Sequence, residues 1–390
     1  MTRREPAPGG SPPAAAVGAA RSRGAAAMTG AALLVAACAL GCSARPPRVS
    51  IRPPDPAPPP APGAWAWSLP AGFPEPPVPA DNPMSAAKVE LGRHLFYDRR
   101  LSANGTQACA DCHRQELAFT DGQARARGST GLLHPRGAMA LVNLAYQPAY
   151  GALDPALTSL ERQALEPLFG LDPVEMGALG HEPQIEARLA AEPRYRELFP
   201  AAFPADPDPV RLDNAVLALA AFERTLLSGG SPYDRWVFAD DRDALSPTAR
   251  RGARLFFSDR VGCAGCHEGV TFGGGLALPG RPAEPAYAAN GLSGDGLAAT
   301  TGRPTDRGRF RVRTLRNIAV TAPYMHDGRL PTLAAVLDHY ERGGEPGAPR
   351  DPRMTTFRLT AEERAALIAF LESLTDEEFL QDPRYADPWR

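Results

Sequence analysis

Two short segments of the chain place a pair of cysteines directly before a histidine. They read CADCH, from Cys109 to His113, and CAGCH, from Cys263 to His267. This spacing allows two thiols to form thioether bonds to a haem while the adjacent imidazole reaches the iron. A redox-active CxxC pair or a four-cysteine zinc site would use the same cysteines. The histidine after each pair disfavours the first alternative, and the 154 positions from Cys109 to Cys263 disfavour a compact zinc site.

The two motifs together predict two covalently attached c-type haems. Their attachment residues and axial ligands would be Cys109, Cys112 and His113 for the first, and Cys263, Cys266 and His267 for the second. The other two of the six cysteines, Cys38 and Cys42, lie near the N-terminus. No histidine outside the motifs is marked as a second axial ligand by its spacing alone.

Each motif follows a similar segment, which indicates an internal repeat. LGRHLFYDRR precedes the first motif and RGARLFFSDR the second, and they share a Gly, a Leu-Phe pair and a final Arg at an offset of 160 positions. Their apolar spacing is helical. We therefore predict a mainly α fold with two cytochrome c-like helical domains, residues 84–240 and 241–390, each binding one haem. Ser246 and Pro247 suit the N-cap and first position of the helix that opens the second domain.

Apolar periodicity and punctuation predict the remaining elements. Further helices are expected within 157–169, 212–227 and 360–374, little of the chain has a strand pattern, and Gly and Pro predict loop over much of 273–304. The chain has 390 residues, of which 44% are hydrophobic and 22% charged, so it can bury a sizeable core. Its formal net charge of -2 provides no basic surface for nucleic acid.

The N-terminal segment has the pattern of an export signal. A short apolar run of small residues, 31–40, ends in CALGCSA. We predict a lipoprotein-type signal peptide over residues 1–42, with lipidation at Cys42 or, less favoured, Cys38. Residues 43–83 are rich in Pro and Ala and are predicted to form a tether. The protein would then lie in the periplasm or cell envelope; a plain cleaved signal peptide or an unprocessed anchor is the alternative.

The stretch YMHDGRLPTLAAVLDHY concentrates side chains that can ligate a haem iron. Pro331 suits the start of a helix, and apolar residues follow at i, i+3, i+4 and i+7. That spacing turns Tyr340 toward the buried face, either as a ligand or as an inward tyrosine bonded to a backbone acceptor. His339 is expected off this face, in solvent. Met325 and His326 are expected in a loop, packed against a haem rather than bound to its iron.

Several further segments carry a resemblance to a known family. In chain order they are LVNLAYQPAY, SLERQALEPLF, DPVEMG, GRFRVRTLRNIAVTAPYMHDG and LDHYERGG, around the two CxxCH motifs. Over residues 84–385 the chain resembles the bacterial dihaem cytochrome c peroxidase/MauG superfamily. HPRGAMALVNLAY and SLERQALEPLFG look closest to its MbnH-like branch, whose characterised type modifies tryptophan on a partner protein.

The resemblance implies that the first haem is five-coordinate and reacts with peroxide. Gln163, Pro167 and Glu175 match distal-pocket positions of the family, with Glu175 as the acid/base. A carboxylate that moves a proton between the peroxide oxygens turns the leaving oxygen into water, and an apolar pocket raises its pKa toward the working range. Without the flanking match, Glu175 would be an ordinary charged residue in a turn.

The resemblance also implies a six-coordinate second haem with Tyr340 as its distal ligand. Reductively activated members of the family carry methionine fourteen residues after the histidine of the YxH motif, which is His326 here, whereas MauG-like enzymes carry tyrosine. An anionic oxygen ligand favours oxidised iron, and methionine favours the reduced state. Tyr340 therefore favours storage of two oxidising equivalents across both haems.

Two departures from the family pattern affect electron transfer. Ala152 or Leu153 stands where an aromatic bridge between the haems is expected, and Tyr146 or Tyr150 is the candidate replacement. Val261 stands where MauG has a surface tryptophan that carries oxidising equivalents outward.

Two further expectations rest on the same resemblance. A calcium ion would be held partly by backbone oxygens of Thr321 and Pro323, although the customary Asn ligand is Gly137. His134 lies where some relatives carry a removable distal histidine, but it stands two residues before Arg136 and is predicted to be structural.

The leading functional prediction is a haem peroxidase-type oxidoreductase. It would use hydrogen peroxide to form high-valent haem and oxidise an exported partner protein, with tryptophan as the candidate target. The second hypothesis is a detoxifying cytochrome c peroxidase that takes electrons from a small cytochrome. The third is a dihaem electron carrier without enzymatic activity, in which Glu175→Gln would change nothing.

Overall fold

The computed structural model describes residues 65–281 and 283–390. The predicted signal peptide, with Cys38 and Cys42, and residues 43–64 of the predicted tether lie outside this range. Within it, no helix has the length and apolar character needed to cross a bilayer.

Helices provide nearly all of the regular structure in the described residues. The α-helices are α1 Ala86–Phe96, α2 Cys109–Cys112, α3 Leu160–Phe169, α4 Glu182–Ala191, α5 Pro193–Ala202, α6 Leu212–Arg224, α7 Pro232–Phe238, α8 Pro247–Phe256, α9 Ala298–Thr301, α10 Leu333–Glu341, α11 Ala361–Glu372 and α12 Glu377–Gln381. Short 3-10 helices are Arg99–Leu101, Gln115–Leu117, Leu144–Tyr146, Cys263–Gly265, Pro304–Asp306 and Ile318–Val320. Two short strands, β1 Tyr287–Ala289 and β2 Arg309–Arg311, pair antiparallel, with Tyr287 opposite Arg311. The predicted mainly helical fold is confirmed.

The repeated segment before each motif forms a helix that crosses another helix closely at a glycine, once in each half of the molecule. In α1, a Cβ added to Gly92 would lie 2.0 Å from the carbonyl oxygen of Ala218 in α6. In α8, a Cβ added to Gly252 would lie 1.8 Å from the carbonyl oxygen of Ala366 in α11. Only glycine permits these two close helix crossings. The shared Gly of the repeat thus sets how each motif-bearing helix packs.

The predicted helices are present, but some of them begin or end at other residues than predicted. The Ser246 hydroxyl accepts a hydrogen bond from the Ala249 N–H at 3.1 Å, and Pro247 is the first residue of α8, as predicted. Pro331 does not begin a helix, because the Thr332 hydroxyl caps α10 and the helix begins at Leu333. The range 273–304, much of which was predicted to be loop, also contains β1 and α9, and β1 forms by pairing with a strand that lies outside this range.

The end of the predicted tether is part of the folded protein. Trp67 and Phe73 pack in an apolar cluster with Tyr146 and Leu227. The Tyr146 hydroxyl donates to the carbonyl oxygen of Pro74 at 2.6 Å. Residues 65–83 therefore do not behave as the free Pro/Ala tether that composition suggested, because their few aromatic side chains find apolar partners.

Two main apolar cores correspond to the two halves of the sequence. The first gathers around α1 and α6 and the second around α8 and α11. The first core also includes Phe379 of α12, whose ring lies 5.8 Å from that of Phe119. The C-terminal end of the chain thus completes the core that surrounds the first motif.

Candidate functional site

The side chain of each motif histidine is held by a hydrogen bond to the backbone carbonyl oxygen of a phenylalanine. The Nδ1–H of His113 donates to the carbonyl oxygen of Phe119 at 2.7 Å, and that of His267 donates to the carbonyl oxygen of Phe272 at 2.9 Å. Both phenylalanines adopt left-handed backbone conformations, with φ of 61° and 51°. A histidine whose Nδ1–H is engaged in this way presents a bare Nε2 to a metal ion. Burial lowers the pKa of both imidazoles, which favours the neutral form that ligates iron.

The four motif cysteines form no disulfide. Burial raises the pKa of the Cys112 thiol to about 11 and that of the Cys263 thiol to about 12. The Gln107 side chain donates to Cys112 Sγ at 3.1 Å. Each cysteine pair thus lies beside a histidine oriented through its Nδ1–H, an arrangement that fits haem attachment.

A cavity of about 380 Å³ adjoins the second motif. Its walls include the motif residues Cys263, Cys266 and His267. The face of α10 that sequence spacing predicted to be buried also lines it, with Leu333, Val336, Leu337 and Tyr340. Tyr340 thus shares a cavity with the candidate proximal ligand.

The Tyr340 phenol has few polar neighbours. Burial, followed by the nearby Cys263 and Cys266 thiols, raises its pKa to about 12, and the Asn290 side chain partly offsets this. A phenolate at this position therefore needs a cation beside it, as a ligated iron would be. The Asn290 amide also donates to Met325 Sδ at 3.7 Å, and both residues line the cavity.

The prediction for His339 was wrong. Its side chain is only 2% exposed, and its Nε2 lies 2.8 Å from the carbonyl oxygen of Asn290, to which it can donate. The residue lies off the apolar face of α10, but the segment that leads from β1 covers that side of the helix. His326 stacks on Phe310 with ring centres 4.2 Å apart, as a packing residue would.

Two guanidinium groups in the cavity wall were missed by sequence reasoning. Arg136 and Arg313 line the cavity, and neither forms an ion pair with any carboxylate in the part of the chain that the structure describes. Burial lowers the pKa of both groups, and Arg311 lies beside Arg313. Half-buried cations that line a cavity and lack a carboxylate partner are stabilised by an anion. Haem propionates would supply it, so the cavity fits a haem in charge as well as in ligands.

The positions that depart from the family pattern lie at this cavity. Ala152, Leu153 and Val261 all line it. Of the two candidate replacement tyrosines, Tyr146 is fully buried in the apolar cluster with Phe73. Tyr150 lies near Arg224, Glu161, Arg311 and Glu223, whose charges act on its phenol.

The candidate distal residues of the first site are brought together by a chain reversal. Gln163 and Pro167 lie one turn apart in α3. The Pro167 carbonyl oxygen accepts the Met176 N–H at 2.9 Å, which folds the segment containing Glu175 back onto α3. Burial and the neighbouring Glu166 raise the pKa of Glu175. The charge of Glu175 also acts on both Cys109 and Cys112, so this carboxyl lies close to the first motif.

The candidate calcium residues are present without a ligand cluster. Thr321 and Pro323 line the cavity of the second site. A Cβ on Gly137 would lie 2.6 Å from the carbonyl oxygen of Gln123, so the customary Asn would not fit there without movement. Among the described residues, no group of three or more His, Cys, Asp or Glu side chains is placed to hold a metal ion.

Comparisons with known proteins match both halves of the chain. Residues 86–242 match the family model described as di-haem cytochrome c peroxidase, and residues 249–375 match that of cytochrome c. The methylamine utilization protein MauG of Methylorubrum extorquens is 37% identical over 306 residues, covering 77% of this chain and 82% of that protein. The cytochrome-c peroxidase IdrP1 of Denitromonas iodatirespirans is 36% identical over 342 residues, covering 80% of this chain and 88% of that protein.

A solved structure extends the similarity to three dimensions. The crystal structure of a MauG-like protein associated with microbial copper homeostasis is 41% identical to this chain, with a TM-score of 0.80. It aligns with 84% of this chain and 100% of its own.

Proposed function

This chain belongs to the dihaem cytochrome c peroxidase/MauG family, and we propose its function from that premise. It uses hydrogen peroxide to oxidise an exported partner protein, with tryptophan as the candidate target. Relatives named as MauG and as cytochrome c peroxidases make it a peroxide-using oxidoreductase. The observation that carries the finer proposal is the position of Tyr340 in the same cavity as His267.

The residues of each site would divide the work. Thioether bonds from the cysteines of the two motifs would hold the haems, and His113 and His267 would ligate the irons. When bound, the haems supply cleavage of peroxide and storage of two oxidising equivalents. Tyr340, as an anionic ligand of the second iron, would favour its oxidised state.

Glu175 would act as the general acid/base that transfers protons in the reaction. Reduction of peroxide to two waters consumes two protons and two electrons, and the electrons come from the partner protein. Gln163 and Pro167 would shape the pocket around the reacting oxygens. Because burial raises the pKa of Glu175, its base form is lost at a higher pH than for an ordinary glutamate. The peroxide reaction should therefore slow on the acid side with a midpoint above pH 4.5, the ordinary pKa of glutamate.

The experiment compares Glu175→Gln with Glu197→Gln in the haem-loaded protein. Glu197 is a matched control because its side chain is 73% exposed in α5, away from the motifs. We expect Glu175→Gln to slow the spectral response to peroxide by about 100-fold or more, the usual contribution of a general acid/base, and Glu197→Gln to leave it unchanged. Wild-type protein should show one high-spin and one low-spin haem and should react without prior reduction. Two low-spin haems that are inert to peroxide would refute the proposal.

A detoxifying cytochrome c peroxidase is the second candidate, because IdrP1 is as similar to this chain as MauG is. Steady peroxide turnover with a reduced small cytochrome, and no covalent change in any co-expressed partner, would favour it. The presence of Tyr340 instead of methionine favours protein oxidation.

The proposed location in the cell envelope rests on the N-terminal sequence alone. Lipidation at Cys42, or less favoured Cys38, would anchor the protein in the cell envelope, and labelling with a radioactive fatty acid would test it. A calcium ion held by Thr321 and Pro323 is likewise proposed, and elemental analysis before and after chelation would detect it.

A further inference from the structure

The segment 125–136 places His134 beside the carboxyl group of Glu175. Hydrogen bonds from Ala126 N–H to Arg136 O at 2.9 Å and from His134 N–H to Ala126 O at 2.7 Å close this segment on itself. The Ser129 N–H donates to the Glu175 carbonyl oxygen at 2.7 Å and ties the segment to the distal residue. As a result, His134 Nε2 lies 3.6 Å from Glu175 Oε1.

The backbone also determines which ring nitrogen of His134 carries the proton. The Arg136 N–H points at His134 Nδ1 at 3.2 Å, so Nδ1 accepts and the proton is on Nε2, which faces Glu175. Burial lowers the pKa of the His134 ring, and the charges of the Arg136 and Arg125 guanidiniums act in the same direction, so a second proton is disfavoured. His134 is thus a neutral donor aimed at a carboxylate.

We propose that His134 is a positioning residue that donates its Nε2–H to the Glu175 carboxylate, stabilises the ionised form and fixes its direction. The inference rests on the role of Glu175 in the proposed function and replaces the purely structural role that the sequence suggested. The gap is longer than a hydrogen bond of 2.7–3.2 Å, and such contacts commonly tighten when an active site is loaded. The two side chains are 28% and 38% exposed, so the pair also connects the pocket to solvent.

Two effects oppose the ionisation of Glu175. Glu166 of α3 repels it, and burial acts in the same direction. The thiols of Cys109 and Cys112 lie on the side of the motif and would be uncharged as thioethers. A donor at His134 Nε2, 3.6 Å from the carboxyl, would counteract these effects.

The test measures the pH profile of the peroxide reaction and the pH dependence of cyanide affinity in haem-loaded His134→Ala and His134→Gln. Cyanide binding to ferric haem needs a distal group to take its proton, so it reports on the base without turnover. His181→Ala is the matched control, because His181 is exposed and its side chain caps no helix. We expect His134→Ala to raise the acid midpoint of both profiles by about one pH unit, a tenfold loss on the acid side. His134→Gln, whose amide nitrogen replaces Nε2, should restore the midpoint.

The double variant His134→Ala/Glu175→Gln separates this inference from the proposed function. We expect His134→Ala to have no further effect on cyanide affinity once Glu175 is glutamine. An unchanged midpoint in His134→Ala, or an equal shift with and without Glu175, overturns the role of His134 even if Glu175→Gln abolishes the peroxide reaction. A full peroxide rate in Glu175→Gln overturns the proposed function instead.

Discussion

The two motif sites hold their histidines by the same kind of backbone contact but differ in the charged groups around them. At the first site, the carboxyl groups of Glu223 and Glu175 act on Cys109, and burial, partly offset by Arg224, raises the pKa of Glu223 to about 8. At the second site, the cavity wall carries arginines and the Tyr340 phenol. Because the histidine contacts are alike, we expect the surroundings of each motif to determine what its site does.

The charges suit different tasks. Carboxyl groups with raised pKa values exchange protons near neutral pH, which a site that cleaves peroxide requires. At the second site, an anionic ligand such as Tyr340 would hold iron in an oxidised state, which a site that stores charge requires. The two halves thus share the close helix crossing at Gly92 and Gly252 and differ in the residues around each motif.

The largest expected effect comes from removing haem attachment at one site. Cys109→Ala/Cys112→Ala should leave one covalent haem with a low-spin spectrum and no peroxide reaction. Cys263→Ala/Cys266→Ala should leave one covalent haem with a high-spin spectrum. Haem content of the denatured protein, together with absorption spectra, measures both. If the two variants had identical spectra, the proposed difference in spin state between the two sites would be wrong.

Replacing the candidate ligand Tyr340 by methionine should convert the second site toward the reductively activated type of peroxidase. We expect Tyr340→Met to raise the reduction potential of the second haem by on the order of a few tenths of a volt, because methionine favours reduced iron. The first haem should keep its potential. Potentiometric titration followed by absorption measures both, and Tyr340→Phe, which should yield a second high-spin haem, is the control. A potential unaltered by both substitutions would show that Tyr340 is not a ligand.

The smallest expected effect concerns the stability of the first site. Because the pKa of Glu223 in the folded protein is raised from 4.5 to about 8, its stabilising contribution is complete below pH 4.5 and is lost as the pH rises toward 8. Glutamine cannot ionise, so the Glu223→Gln variant does not lose this stability as the pH rises. It should raise the free energy of unfolding by about 1–3 kcal/mol at pH 8.5 and leave it nearly unchanged at pH 4. Chemical denaturation at both pH values, with Glu197→Gln for comparison, measures this; an equal effect at both would contradict the ionisation of a buried Glu223.

Local patterns predicted much of the fold. The helix ends set by Ser246 and Pro247, and the inward direction of Tyr340, follow from side-chain capping and apolar spacing within a few residues. His339 was misplaced because a distant segment, through the Asn290 carbonyl oxygen, covers its side of α10. Pro331 was misjudged because Thr332 offers a better cap, and residues 65–83 because composition does not reveal which aromatic side chains find a partner.

The sequence by itself determined the two CxxCH motifs, their repeated helices and the family, since these depend on residue type and short spacing. Only the tertiary structure decided what surrounds each motif. The contact between His134 and Glu175 joins residues 41 positions apart, through a segment held by backbone hydrogen bonds. Arg136 and Arg313 share one cavity wall although 177 positions separate them. Charges act through space over a few ångströms, so their effect on a site depends on packing that no local pattern in the sequence records.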